Sequence, residues 1–200
     1  MMQANRGAEP EVIIREAEAD DARSLLEYIE DTAAETDFLA FGPGEFSLTD
    51  EEEAEFLESC RKSPNEVYLM ALIGDTIVGT LSFTGGHRPR NRHAGEFGMT
   101  VRKMFWGQGI GSLLLDSLIA WARGGGVVTK INLEVRADNE RAINLYERKG
   151  FEREGRILNS LRHRGKFYDC LTMGLILDRE ESSPTERSSF LVVLNPNEEN

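Results

Sequence analysis

Apolar positions along the chain alternate between a period of two and a period near 3.6, and the changes of period mark the elements. Val12 to Arg15 reads as a short strand. Ala19 to Tyr28 follows with helical spacing at Ala22, Leu25, Leu26 and Ile29, begun by Asp20 or Asp21. A Gly/Pro loop carries Phe38, Phe41 and Phe46, after which Thr49 caps an acidic helix over 50–60 with Glu52 in the capping-box position. Glu66 to Ile73 and Thr76 to Thr84 form a hairpin across Gly74-Asp75. Beyond a basic, glycine-rich loop comes a strand from about Gly95 to Arg102. A helix opened by Gly109 then presents Ile110, Leu113, Leu114, Leu118 and Trp121 on one face. Gly124-Gly125-Gly126 stops it. Lys130 to Arg136 is the next strand, and Asn139 to Lys149 the next helix, closed by Gly150 as a left-handed cap. Strands near Arg156 to Leu161 and Tyr168 to Ile176 complete the pattern.

Antiparallel hairpins first, then helices between strands, imply an α/β fold: one mixed central sheet of about six to seven strands with helices on both faces. The expected organisation is a flexible N-terminus over 1–11, one domain over 12–177 and a C-terminal tail over 178–200. That tail is polar apart from Phe190 to Leu194, and either hangs loose or docks on the body.

Composition narrows the function. The formal net charge is −12, which opposes a nucleic-acid partner and is compatible with a cationic substrate, although charge by itself favours solubility as the whole account. No apolar run reaches membrane-spanning length, and the first residues lack the apolar stretch of a signal peptide, so a cytoplasmic protein without membrane association is expected. Cys60 and Cys170 have no metal-ligand spacing and read as free thiols, and with three histidines no metal site is expected.

Gly107-Gln108-Gly109-Ile110-Gly111-Ser112 sits between a strand and a helix. Glycines there let successive N–H groups converge at a helix start, a place suited to a phosphate. A ligand-free tight turn would look the same. The P-loop ending and the dinucleotide fingerprint are both missing. Downstream, Asn139-x-x-Ala142-x-x-x-Tyr146-x-x-x-Gly150-Phe151 places Asn139 at a helix start and Tyr146 two turns later.

Together these two segments resemble the GNAT superfamily of Gcn5-related N-acetyltransferases, over roughly Val12 to Leu177. Gly109 and Gly111 match the family's pyrophosphate loop, while Trp106 stands where Arg or Gln is commoner, a departure of small weight if backbone amides do the gripping. Glu96-Phe97, Gly150 to Gly155 and Gly165-x-x-Tyr168-Asp169 add a likeness to spermidine acetyltransferases and equally to those acting on amino acids.

The resemblance implies transfer of an acetyl group from acetyl-CoA, as co-substrate, to the primary amine of a small molecule in a direct ternary complex. A protein or peptide N-acetyltransferase is the alternative, and a non-catalytic acyl-CoA-binding module a third; a homodimer is left open. An ammonium must lose a proton before it attacks a thioester. Relatives use a glutamate matching Glu96 for this, directly or through water; an edge-strand ion pair is the other reading. Tyr146 matches the family's general acid. Backbone groups of Val101, the amides of Gln108, Gly109, Ile110, Gly111 and Ser112, and Asn139 with Ala142 are implied to hold the cofactor, although Asn139 would look identical as a plain N-cap. Arg102 and Lys103 either reach the adenosine phosphates or, as basic residues at a sheet edge, are simply solvated. For the acceptor, Glu30, Asp31, Glu35 and Asp37 are candidate partners of a cationic amine, and Tyr168 shapes the site. Asp50 to Glu53 is expected to be a solvated helix start.

Overall fold

The structure, a computed structural model, describes residues 11–177 and 192–194. Its sheet has the order β6-β7-β5-β4-β3-β2-β1-β8. The strands are β1 (Val12–Glu16), β2 (Glu66–Ile73), β3 (Thr76–Gly85), β4 (Ala94–Val101), β5 (Lys130–Arg136), β6 (Glu152–His163), β7 (Lys166–Ile176) and β8 (Val192–Leu194). Helices α1 (Ala22–Glu35) and α2 (Asp50–Lys62) cover one face, and α3 (Ile110–Gly125) and α4 (Glu140–Arg148) the other. The expected mixed sheet with two covered faces is what the chain forms. Within the expected tail, Val192–Leu194 forms β8, antiparallel to β1. The rest of the expected tail and the first ten residues lie outside the described part.

Each face has its own core. On the α3 face, Leu114, Leu115 and Leu118 are fully buried against Leu81, Phe83, Ile131 and Met173. On the α1 face, Leu25 and Tyr28 pack with Leu57, Met70 and Ile77. Helix α1 runs seven residues beyond the expected Tyr28, because Ile29, Thr32 and Ala33 continue the buried stripe. Strand β6 begins earlier than expected, at Glu152. It is broken by register shifts at Arg153/Gly155 and Ile157/Leu161, where Asn159 takes a left-handed φ of 54°.

One pairing positions everything else. β4 and β5 form the parallel junction of the sheet and are bonded at only three places, Ala94↔Lys130, Gly95↔Ile131 and Glu96↔Asn132. Beyond these residues β4 stays with β3 as far as Val101, and β5 stays with β7 as far as Arg136. The two strands therefore part like a V, opening a crevice at their carboxyl ends, where open α/β sheets bind ligands.

α2 begins as the sequence indicates. The Thr49 hydroxyl accepts from the Glu52 N–H at 3.2 Å, and the Glu52 carboxylate accepts from the Thr49 N–H at 2.9 Å. Thr49→Ala removes this reciprocal cap and is expected to cost about 1 kcal/mol, read as a lower urea midpoint with an unchanged m-value.

Candidate active site

The V between β4 and β5 is the throat of a cleft of about 1540 Å³ that passes from one face of the sheet to the other. Alternation along β4 sends Phe97, Met99 and Val101 toward α3 and α4, and Glu96, Gly98 and Thr100 toward α1 and α2. All six line the cleft. Because the Arg102 N–H donates to Val78 O on β3, at 2.9 Å, the backbone groups of Val101 point the other way, into the opening.

On the α3 face the cleft ends in the glycine turn. Gly107 and Gly109 have φ values of 79° and 82°, the left-handed region that glycine adopts without a Cβ penalty. The first helical bond of α3 runs from Leu113 N–H to Gly109 O at 3.1 Å, so the N–H groups of Ile110, Gly111 and Ser112 have no helical acceptor. A Cβ on Gly111 would sit 3.1 Å from Leu145 Cδ2 on α4, so glycine there lets the start of α3 pack closely on α4. The Asn139 side chain accepts from the Ala142 N–H at 3.3 Å and caps α4 while also lining the cleft beside Ala142. Gln108 stands apart: its side chain donates to Met104 O at 3.1 Å, and it is not part of the cleft wall.

Trp106, the apparent departure, has a defined place. Its indole N–H donates to Val101 O at 2.7 Å, and the Arg141 guanidinium lies 4.1 Å from the centre of its ring. The side chain thus ties the glycine turn to the end of β4 and to the first turn of α4, a contact that no spacing rule could reveal.

Tyr146 projects from α4 into the throat. Its ring packs edge-on to Phe97 and Phe151, with centroids 5.7 and 6.0 Å away, and it is 7% exposed. Desolvation pushes its phenol up to about 12, and no hydrogen bond holds its hydroxyl. On the opposite face Glu96 borders the cleft with Glu134 of β5. Its carboxyl is raised above the ordinary value by desolvation first and by the Glu134 charge second. Glu134 itself accepts from the Ser160 hydroxyl at 2.6 Å.

The residues expected at the acceptor end are placed differently. Glu30 accepts from the Gly44 N–H, Asp31 pairs with Arg102 at 3.0 Å, and Glu35 accepts from the Lys103 N–H. Arg102 also donates to Ile77 O at 3.0 Å and lies over the Tyr28 ring, so it fastens β4 to α1 and is not free for a phosphate. Asp37 lies 3.3 Å from His163, and Tyr168 stacks under Arg136 at 3.7 Å from its ring centre. Neither Glu35, Asp37 nor Tyr168 lines the cleft. These groups pin the loop after α1; the helix continues through Glu35, which turns the acids outward onto cationic and backbone partners. Arg136 is only 6% exposed and is held by Asp138 (2.7 and 2.9 Å) and Asp37 O (2.6 Å). What does line the acceptor end is Phe38, Phe41, Phe46, Phe56, Tyr68 and Glu53. Asp50, Glu51 and Glu52 are exposed, as expected of a solvated helix start, but Glu53 is not, being 2% exposed.

A cleft crossing a V-shaped sheet, with a helix-start amide cluster at one end and a buried phenol at its throat, defines a cofactor-dependent group-transfer enzyme. Residues 32–151 match the family model described as "Acetyltransferase (GNAT) family", and the chain belongs to that family as an acetyl-CoA-dependent N-acetyltransferase. It is 31% identical over 113 residues to the L-amino acid N-acetyltransferase AaaT of Escherichia coli, covering 56% of this chain and 70% of that one. It is 40% identical over 95 residues to the N-alpha-acetyltransferase RimI of Mycobacterium tuberculosis, covering 46% of this chain and 56% of the relative. A GNAT-family acetyltransferase structure from Streptococcus pneumoniae superposes with a TM-score of 0.81 at 34% identity, covering 84% of this chain and 99% of that one. Among the described residues no helix is long and apolar enough to cross a membrane, and no cluster of ligating side chains suits a metal.

Gly109→Ala forces a Cβ into the left-handed region at a cost of about 1–2 kcal/mol. The expected result is a lower melting temperature together with weaker acetyl-CoA binding by calorimetry.

Proposed function

We propose that the chain acetylates the primary amine of a small molecule, polyamine-like or amino-acid-like, in a ternary complex whose two substrates enter from opposite faces of the sheet. The observation that carries this reading is the single cleft through the β4–β5 opening, with the amide cluster and Tyr146 on one side and Glu96 on the other.

Acetyl-CoA fits the α3 side. The unpaired amides of Gly109, Ile110, Gly111 and Ser112, with the Gln108 amide beside them, receive the pyrophosphate at the positive end of a sixteen-residue helix. The pantetheine arm lies along the open edge of β4 past Asn139 and Ala142, using backbone groups of Val101. The Val101 N–H faces the throat and stabilises the oxyanion formed on the thioester carbonyl. The Trp106 indole already bonded to Val101 O leaves that carbonyl with its second lone pair for the arm.

Glu96, directly or through one water, takes the proton of the ammonium. The freed amine adds to the carbonyl carbon, the adduct nitrogen gives its extra proton to water, which later restores the Tyr146 phenol, and the tetrahedral adduct collapses as the C–S bond breaks with the electron pair leaving on sulfur. Tyr146 gives that sulfur its proton. A phenol near 12 remains protonated across the working range, and the same desolvation makes the departing thiolate more basic than in water. A peptide amine is the second reading, supported by the likeness to a RimI protein. Assays on small amines beside alanine-terminated peptides separate the two.

Tyr146→Phe is expected to lower kcat by about 10²-fold, the low end of general acid–base contributions, with acetyl-CoA affinity nearly unchanged. As a base Glu96 works only when ionised, so kcat/KM falls as pH drops through its raised pKa. The Glu96→Gln enzyme is expected to be slow and to lose this acidic limb; a limb that persists would place the base elsewhere.

A further inference from the structure

Among the described residues, Glu53 is the one acidic side chain of the cleft that is almost wholly buried and has no partner. It is 2% exposed, makes no side-chain hydrogen bond or ion pair with them, and borders the cleft. Its oxygens are not sealed in protein; they face the cleft. A buried carboxylate without a cation is costly and is kept where something else supplies the charge. Burial holds its carboxyl above the ordinary value, and the phenol of Tyr68 is raised by desolvation first and by the Glu53 charge second.

The surroundings describe the missing cation. Phe56, one turn along α2, meets Tyr68 edge-on at 6.3 Å, and Phe41 meets Phe46 at 5.3 Å. Phe46 and Phe56 remain 40% and 39% exposed while lining the cleft, an arrangement that suits an apolar body ending in a cation held over ring faces. A substrate carboxylate finds nothing comparable. Arg136, the arginine at this end, is already paired with Asp138, and Arg141 and Arg148 stand on α4 at the cofactor end.

The sheet supplies a ruler. Tyr68, Ser82 and Gly98 are register partners across β2, β3 and β4, and Glu96 lies two residues before Gly98 on the same face. Strand spacing of about 4.8 Å and a rise of about 3.4 Å per residue put Tyr68 roughly 12 Å from Glu96. Gly98 lies between them, with nothing nearer than Ser82 Oγ at 3.8 Å from where its Cβ would be, so the floor is clear.

We propose that Glu53 selects the acceptor: its carboxylate, sunk in the aromatic end of the cleft, binds a second cationic group, so that the substrate class is an aliphatic diamine or longer polyamine. This rests on the small-amine reading above and decides between its polyamine and amino-acid branches.

The test is acetyl-CoA thiol release by the full chain with diamines from 1,3-diaminopropane to 1,8-diaminooctane, n-hexylamine, L-alanine and an alanine-terminated peptide. The expected result is a preference for one mid-length diamine over n-hexylamine of about 10- to 100-fold in kcat/KM, the scale of a charge-assisted bond. Glu53→Gln erases that preference through KM, with an unchanged or higher melting temperature because an unpaired buried charge is gone. Glu53→Asp, with the carboxylate drawn back by one methylene, moves the optimum to a longer diamine, which a purely structural role would not do. Equal rates for diamine and monoamine, preference for L-alanine, or a variant that keeps the diamine preference overturns the proposal and leaves the acetyltransferase intact. Turnover of the peptide alone overturns the small-amine reading, and this proposal with it.

Discussion

The parting of β4 from β5 after three paired residues is the constraint on which the rest of the molecule depends. Backbone N–H and C=O groups cannot be left buried and unbonded without a cost comparable to lost hydrogen bonds. A strand that loses its neighbour midway must therefore find other partners. Trp106 supplies one to Val101, and the remaining open edge is the natural bed for a ligand with amides of its own. The rigidity around the V follows from the same need. β4 is held to β3 along its whole length, β5 to β7 along its whole length, and Arg102 clamps the free end of β4 to α1.

The chemistry is divided by the sheet as well. The α3 face offers unpaired amides and a desolvated phenol, and the α1 face offers carboxylates and aromatic rings. On the proposed reading a polyanionic cofactor and a cationic acceptor have opposite electrostatic needs, and the opening would let each keep its own environment while their reactive atoms meet. The overall acidity, −12 in formal charge, suits the second substrate and is locally offset for the first by the helix start and the α4 arginines.

Much of this was legible in the sequence, for identifiable reasons. Glycines that must adopt positive φ, a Thr-x-x-Glu cap, and a Tyr at fixed spacing from an Asn are local signals, and local signals survive without coordinates. The partners of the candidate acceptor residues were not legible, because they are not local. Glu30, Asp31 and Glu35 look like free acids until Gly44, Arg102 and Lys103 are brought to them from 14, 71 and 68 residues away. Glu53 sits in a run of four acids that spells a solvated helix start, and only the packing of α2 on β2 turns that one inward. Helical period alone could have offered a clue, since Glu53 shares a stripe with Leu57 and Cys60.

The broken ladder of β6 has a consequence of its own. A long outer strand normally invites another chain to continue the sheet. Here two register shifts against β7, with Asn159 in a left-handed conformation, interrupt the regular spacing of that strand. At the opposite border, the described residues Val192–Leu194 pair as β8 with β1. The β6 margin therefore offers a neighbouring chain exposed side chains such as Ile157 and Leu158 and an interrupted ladder.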